Sequence, residues 1–191
     1  MRITGVETFP VAVPPPHMGG TSWLFVRLDT DAGVRGYGEV MMLAAAFPPR
    51  TTALLVEELV RKHLIGHDPY EIELLWEKLY ARAGYSHYPE QTKLAIISAL
   101  EMACWDIVGK DLGQPVHRLL GGAVRDRVRT YTYIYPDESS EVDRHEMWTQ
   151  PDLVAERAAY YADQGFTGVK LDPFGTVVTE GQGLGQLVPV Q

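Results

Sequence analysis

Few residues of this chain have types and spacing that could do chemistry. Near its end stands Val169-Lys170-Leu171-Asp172. Residues two apart on a strand point to the same side, so Lys170 and Asp172 put a cation and a carboxylate on one face. Taken alone, Lys170 reads as an ordinary strand-end lysine. Cys104 is the only cysteine, so no internal disulfide can form. It sits in the apolar run Ala103-Cys104-Trp105, where a buried thiol is expected over a reactive one. The segment Asp31-Ala32-Gly33-Val34-Arg35-Gly36-Tyr37-Gly38-Glu39 has glycines that could in principle cradle a phosphate. Such a cradle lies between a strand and a helix N-terminus. Here a strand follows, so Gly33, Gly36 and Gly38 are expected to serve turns and close packing. Trp105 and Asp106 fall inside a helical pattern and are expected to fix that helix, because an indole N–H and a carboxylate each need partners there.

The elements that would position these residues follow from periodicity. Residues 2–13 predict a strand, and residues 14–21, with three prolines and two glycines, a loop. Residues 22–29 alternate, with Leu24, Val26 and Leu28 on one face and Phe25, Arg27 and Asp29 on the other. A turn at Asp31-Ala32-Gly33 and a third strand over Val34 to Val40 complete an antiparallel meander. Helices are expected over 50–64, 69–83 and 90–110. The second has a stripe of Ile72, Leu75, Trp76, Leu79, Tyr80 and Ala83, with Asp68 as cap and Pro69 at its first position. The third is apolar nearly all round, which predicts burial between two layers. After Gly121-Gly122, a strand over 128–135, a loop over 136–146, a helix over 151–164 stopped by Gly165, and a strand over 167–172 make a βαβ unit.

Bulk composition sets the outer limits. The chain has 191 residues, 46% of them hydrophobic and 22% charged, enough apolar content for a core. A net charge of −8 argues against a nucleic-acid or anionic-membrane partner, though a local basic pocket could still take an anionic substrate. No stretch approaches the ~20 apolar residues of a membrane span, and the N-terminus lacks a signal-peptide core. A cytoplasmic location is therefore expected.

Two passages are more specific. One is the Asp31–Glu39 hairpin, which reads D-x-G-x-x-G-x-G-E. The other runs from Ala99-Leu100-Glu101-Met102-Ala103-Cys104-Trp105-Asp106 through Gly109-Lys110, Gly113-Gln114-Pro115 and Leu119-Leu120-Gly121-Gly122. Together they resemble the mandelate racemase/muconate lactonizing branch of the enolase superfamily, over residues 1 to about 175. The resemblance implies an α+β N-terminal capping domain (three-stranded antiparallel sheet plus helical bundle) over 1–122. The start of a (β/α) TIM-type barrel follows over 123–175, then a tail over 176–191 expected to be disordered or off-family. It implies that the cap loops select a small carboxylate or acid-sugar substrate, with His17, Met18, Thr21 and Met41 as substrate-lining candidates. It also implies a barrel in which Mg²⁺ stabilises the charge formed when a proton next to a carboxylate is removed. Lys170 falls where the family often keeps a carboxylate-orienting, pKa-tuning cation. Asp172 departs from the family's K-x-K at the position where racemases keep a basic lysine. That departure favours an acid-sugar dehydratase, whose base can come from a histidine on a later strand.

A complete barrel needs roughly 250 residues, and far fewer remain after Gly122. The family's metal carboxylates belong to the third, fourth and fifth barrel strands, so no metal ligand is assigned and no ion is expected to bind this chain. Residues 175–191, with four glycines and no Lys or Arg, have no helical period. The expectation is a truncated dehydratase-like chain, inactive by itself and prone to homo-oligomerise. A non-catalytic cap module that associates with another chain, and a racemase or cycloisomerase of the same family, are the alternatives.

Overall fold

Alternating apolar residues build an antiparallel sheet of three strands in the order β1-β2-β3: β1 Ile3–Ala12, β2 Ser22–Thr30 and β3 Arg35–Val40. This is the expected meander. The structure, a computed structural model, describes residues 1–14, 20–42, 47–82, 90–142 and 144–171. His17, Met18, Asp172 and the tail over 176–191 lie outside the described residues. Contacts divide the chain into two units, Met1–Val124 and Arg125–Gln191.

In the first unit Leu24, Val26 and Leu28 are fully buried on one sheet face, as their alternation requires. Burial of each contributes about 1.5–3 kcal/mol relative to exposure. Two helices cover that face. Helix α1, Pro49–His63, lies against β1 and β2 and buries Thr52, Ala53, Val56 and Val60, close to the four-residue repeat of one helical stripe. Arg61 and Lys62 in its last turn suit the negative end of the helix dipole. Helix α3, Gln91–Asp111, lies on β3 and β2 and on its other side meets α2, Ile72–Glu77. The expected two-sided burial is present. It is not complete, because Met102 remains exposed. Glu90 caps α3 by accepting the N–H groups of Thr92 at 2.9 Å and Lys93 at 2.7 Å. Those bonds, the Thr92 one foremost, hold its carboxyl below the usual carboxylate range.

The helix expected over 69–83 is corrected. It begins at Ile72, and from Lys78 to Arg82 it widens into a π-helical turn. Asp68 does not cap it. Its carboxylate and carbonyl instead accept from Tyr70 and Glu71, closing a local turn that competes with helix. Leu75 and Leu79 stay buried, so the apolar stripe sets the face while the turn sets the start. A four-residue helix α4, Val116–Leu119, follows α3.

In the second unit, β4 (Thr132–Tyr133) and β5 (Val169–Lys170) pair in parallel, joined by α5 (Arg144–Trp148) and α6 (Pro151–Asp163). The βαβ unit is present, but its strands are far shorter than 128–135 and 167–172. Only two residues of each strand pair, so the ladder ends after Ile134 donates its N–H to Lys170 O at 2.9 Å. The loop expected over 136–146 gives way to helix at Arg144. Ile134, Met147 and Trp148 form a small separate core. Gly165, at φ 93°, ends α6 as expected.

Candidate functional site

At the end of the sheet where β2 begins and β3 finishes, a pocket of about 230 Å³ opens among Gly20, Thr21, Ser22, Trp23, Glu39, Met41 and Met42. It brings together two residues expected to line a substrate site, Thr21 and Met41. The backbone builds this end by closing the preceding loop, with Val13 N–H donating to Thr21 O at 3.0 Å. Strand alternation explains the lining. Trp23 and Phe25 lie on the sheet face away from the helices, their rings 5.9 Å apart. Glu39 pairs across from Phe25 and so shares that face. Met42 turns back toward the helical core.

Trp23, Glu39, Ser22 and Met42 were not singled out from sequence. Two of them were within reach of it. Once Phe25 is assigned to the outer face, residue 23 follows from the period of two, and residue 39 from its pairing with Phe25. The pocket combines hydroxyls at Thr21 and Ser22, a carboxylate at Glu39 and the indole of Trp23. Such a set can hydrogen-bond to hydroxyl groups and lie against an apolar ring or chain.

The glycine hairpin and the Trp105-Asp106 passage have structural duties, as expected. A Cβ on Gly36 would lie 2.0 Å from Ala103 O, and one on Gly38 1.9 Å from Ala99 O. These two glycines allow α3 to rest directly on β3. Asp106 Oδ2 accepts Tyr37 N–H at 2.8 Å and the Lys110 ammonium at 2.6 Å. Lys110 also donates to Arg35 O at 2.8 Å and lies 4.8 Å from the Tyr37 ring centre. Cys104 is fully buried, and burial pushes its thiol up to about 12. It has no nucleophilic role at neutral pH.

In the second unit, Lys170 is exposed at the end of β5 with its ammonium 4.6 Å from the Tyr133 ring centre. Asp172, its expected companion, falls outside the described residues. Magnesium takes oxygen ligands, typically one or two carboxylates with waters and substrate oxygens. Among the described residues no three of His, Cys, Asp and Glu come together in a way that could hold a metal ion. The described residues therefore do not fit the Mg²⁺ that the family resemblance implies. No helix among them is long and apolar enough to cross a membrane.

Comparison with known proteins agrees with this geometry. The family described as mandelate racemase/muconate lactonizing enzyme, N-terminal domain, matches residues 3–121. The D-galactonate dehydratase of Ralstonia nicotianae is 39% identical over 142 residues, covering 74% of this chain and 34% of that one. The D-galactonate dehydratase of Verminephrobacter eiseniae is 38% identical over 172 residues, covering 90% and 38%. Among solved structures, a mandelate racemase/muconate lactonizing enzyme from Jannaschia sp. superposes with a TM-score of 0.81 at 40% identity, covering 92% of this chain and 44% of that one. The chain thus spans about a third of the length of the curated relatives it matches. With its meander, its helical layer and its glycine hairpin in register, the chain belongs to the mandelate racemase/muconate lactonizing enzyme family and carries that family's N-terminal domain.

Proposed function

We propose that this chain is the substrate-selecting part of an acid-sugar dehydratase. In this proposal residues 1–122 act as the cap and residues 123–175 as the opening of the barrel. One observation carries the proposal: Thr21, Ser22, Trp23, Glu39 and Met41 converge on one pocket at the loop end of the sheet. Its hydroxyls, carboxylate and indole suit a polyhydroxylated chain better than a plain aromatic acid. The identity to D-galactonate dehydratases supports the same substrate class. His17 and Met18 are proposed to extend the lining, and Lys170 and Asp172 to serve the carboxylate end of the substrate. The full reaction, with Mg²⁺ and a base from later strands, belongs to a complete barrel. The 191-residue chain is proposed to be inactive in it, and to reside in the cytoplasm.

The test is a titration of the isotope-labelled chain with D-galactonate and, separately, with mandelate. Galactonate is expected to shift the backbone resonances of Thr21, Trp23, Glu39 and Met41, with mandelate doing so weakly. Equal shifts with both acids, or none with either, would defeat the substrate assignment. Magnesium-dependent exchange of the proton next to the carboxylate, catalysed by this chain alone, would overturn its inactivity.

A further inference from the structure

We infer that Tyr133 is a positioning residue for Lys170: its ring face holds the Lys170 ammonium in place and keeps it charged. The inference rests on the assignment of Lys170 to the substrate's carboxylate end and specifies how it acts there. Lys170 then works as a fixed cation for an anionic group, not as the proton acceptor.

The geometry begins with register. Tyr133 and Lys170 are direct partners across the parallel β4–β5 pair, so their side chains leave the same sheet face. The ammonium lies 4.6 Å from the ring centre, inside the ~6 Å range of a cation–π contact. The ring is itself held. It stacks on Trp148, with centroids 5.7 Å apart and planes 22° from parallel. Trp148 is buried and donates its indole N–H to Ile134 O at 2.7 Å. Ile134 in turn donates its N–H to Lys170 O at 2.9 Å. Tyr135 approaches the Tyr133 ring at 6.3 Å and 60°, and Arg157 donates to Tyr135 O at 3.0 Å. Strand partner, ring, indole and backbone therefore form one connected set around the Lys170 side chain.

The chemistry follows from the ring's quadrupole. Its negative face attracts an ammonium and has no comparable attraction for a neutral amine. A lysine base requires the opposite setting, one that makes the charged form costly. An aromatic face under Lys170 favours a point charge that orients a carboxylate.

The experiment uses the 191-residue chain with phenylalanine, or its mono-, di- and trifluorinated forms, placed at position 133. These rings keep their shape while fluorine drains the negative face. Lysine labelled with ¹³C at Cε reports the contact, and Lys170→Arg assigns the resonance. The Lys170 Cε protons are expected upfield of solvent-exposed lysines in the parent and in Tyr133→Phe, and to lose that shift in Tyr133→Leu. The alkaline titration midpoint of Lys170 is expected to fall stepwise with each fluorine, by about half a pH unit in all. A parent Lys170 at the ordinary lysine shift, or a midpoint indifferent to fluorination, would overturn the inference. Neither measurement contains a carboxylate ligand, so failure here leaves the galactonate titration to judge the substrate assignment separately.

Discussion

At the residue scale, Asp106 and His67 carry the clearest consequences. Asp106 is a half-buried carboxylate that answers one backbone N–H and one ammonium. Asp106→Ala leaves Tyr37 N–H and Lys110 without that partner and is expected to cost about 1–2 kcal/mol, reduced from the buried value by solvent access. Asp106→Asn, which can still accept from Tyr37, is expected to cost less. Urea unfolding of both variants checks the order. His67 is buried and links three segments. Its carbonyl accepts from Ile3 N–H at 2.9 Å, its Nε2 meets Glu71 O at 3.1 Å, and its Nδ1 meets the Lys78 ammonium at 3.0 Å. Such an imidazole is neutral, with Nε2 donating and Nδ1 accepting from Lys78. Burial, opposed in part by the Glu71 carbonyl, depresses its pKa below 6.5. The unfolded chain therefore takes up the proton first. The stability this group contributes is complete above about pH 6.5 and is lost as pH falls through the depressed folded value. Unfolding free energy measured from pH 8 to 5 should decline more steeply in the parent than in His67→Gln.

At the scale of elements, the contact of α3 with β3 governs the first unit. Gly38→Ala would drive a Cβ into Ala99 O, a helix carbonyl that cannot swing aside, so α3 must lift from the sheet. The expected loss is about 3 kcal/mol or more, at the upper end of overpacking. Gly33→Ala meets nothing within 4 Å and costs only the strain of a left-handed backbone at φ 76°, about 1–2 kcal/mol. Thermal unfolding of the two variants separates close approach from turn geometry. The strands of this unit were legible because alternation survives in sequence when one sheet face is buried, as at Leu24, Val26 and Leu28. The helix start at Ile72 was not, because Asp68 and Pro69 look the same before a helix as inside a turn. The π-helical turn from Lys78 also has no periodic mark. Thr21 and Met41 could be named from the loops they occupy. The outer-face placement of Trp23 and Glu39 was within reach of alternation, but their convergence with Thr21 and Met41 on one opening was not. Tyr133 required the pairing of two strands far apart in sequence.

At the scale of the whole molecule, the two units differ in how well each is supported. The first has a three-stranded sheet under a full helical layer. The second rests on two short parallel strands, and parallel sheets ordinarily have both faces covered. Val124, Val128 and Tyr131 are more than half exposed along the adjoining segment. Apolar surface of this kind promotes association. Sedimentation velocity at micromolar concentration is expected to show species larger than the monomer, reduced by Val128→Asp together with Tyr131→Asp. A single sharp monomer boundary for the parent would refute that expectation.

The side chains at the end of α3 have one more effect. β3 is an outer strand, and outer strands offer open backbone groups on which a foreign chain can assemble. Asp106 occupies Tyr37 N–H and Lys110 occupies Arg35 C=O, each from one turn of the same helix. The helix thereby stands in for a fourth strand and denies that edge to intruders. Loss of the Asp106–Lys110 pair would then do more than weaken the fold. It would leave Tyr37 N–H and Arg35 C=O open on an outer strand, where a second chain could pair.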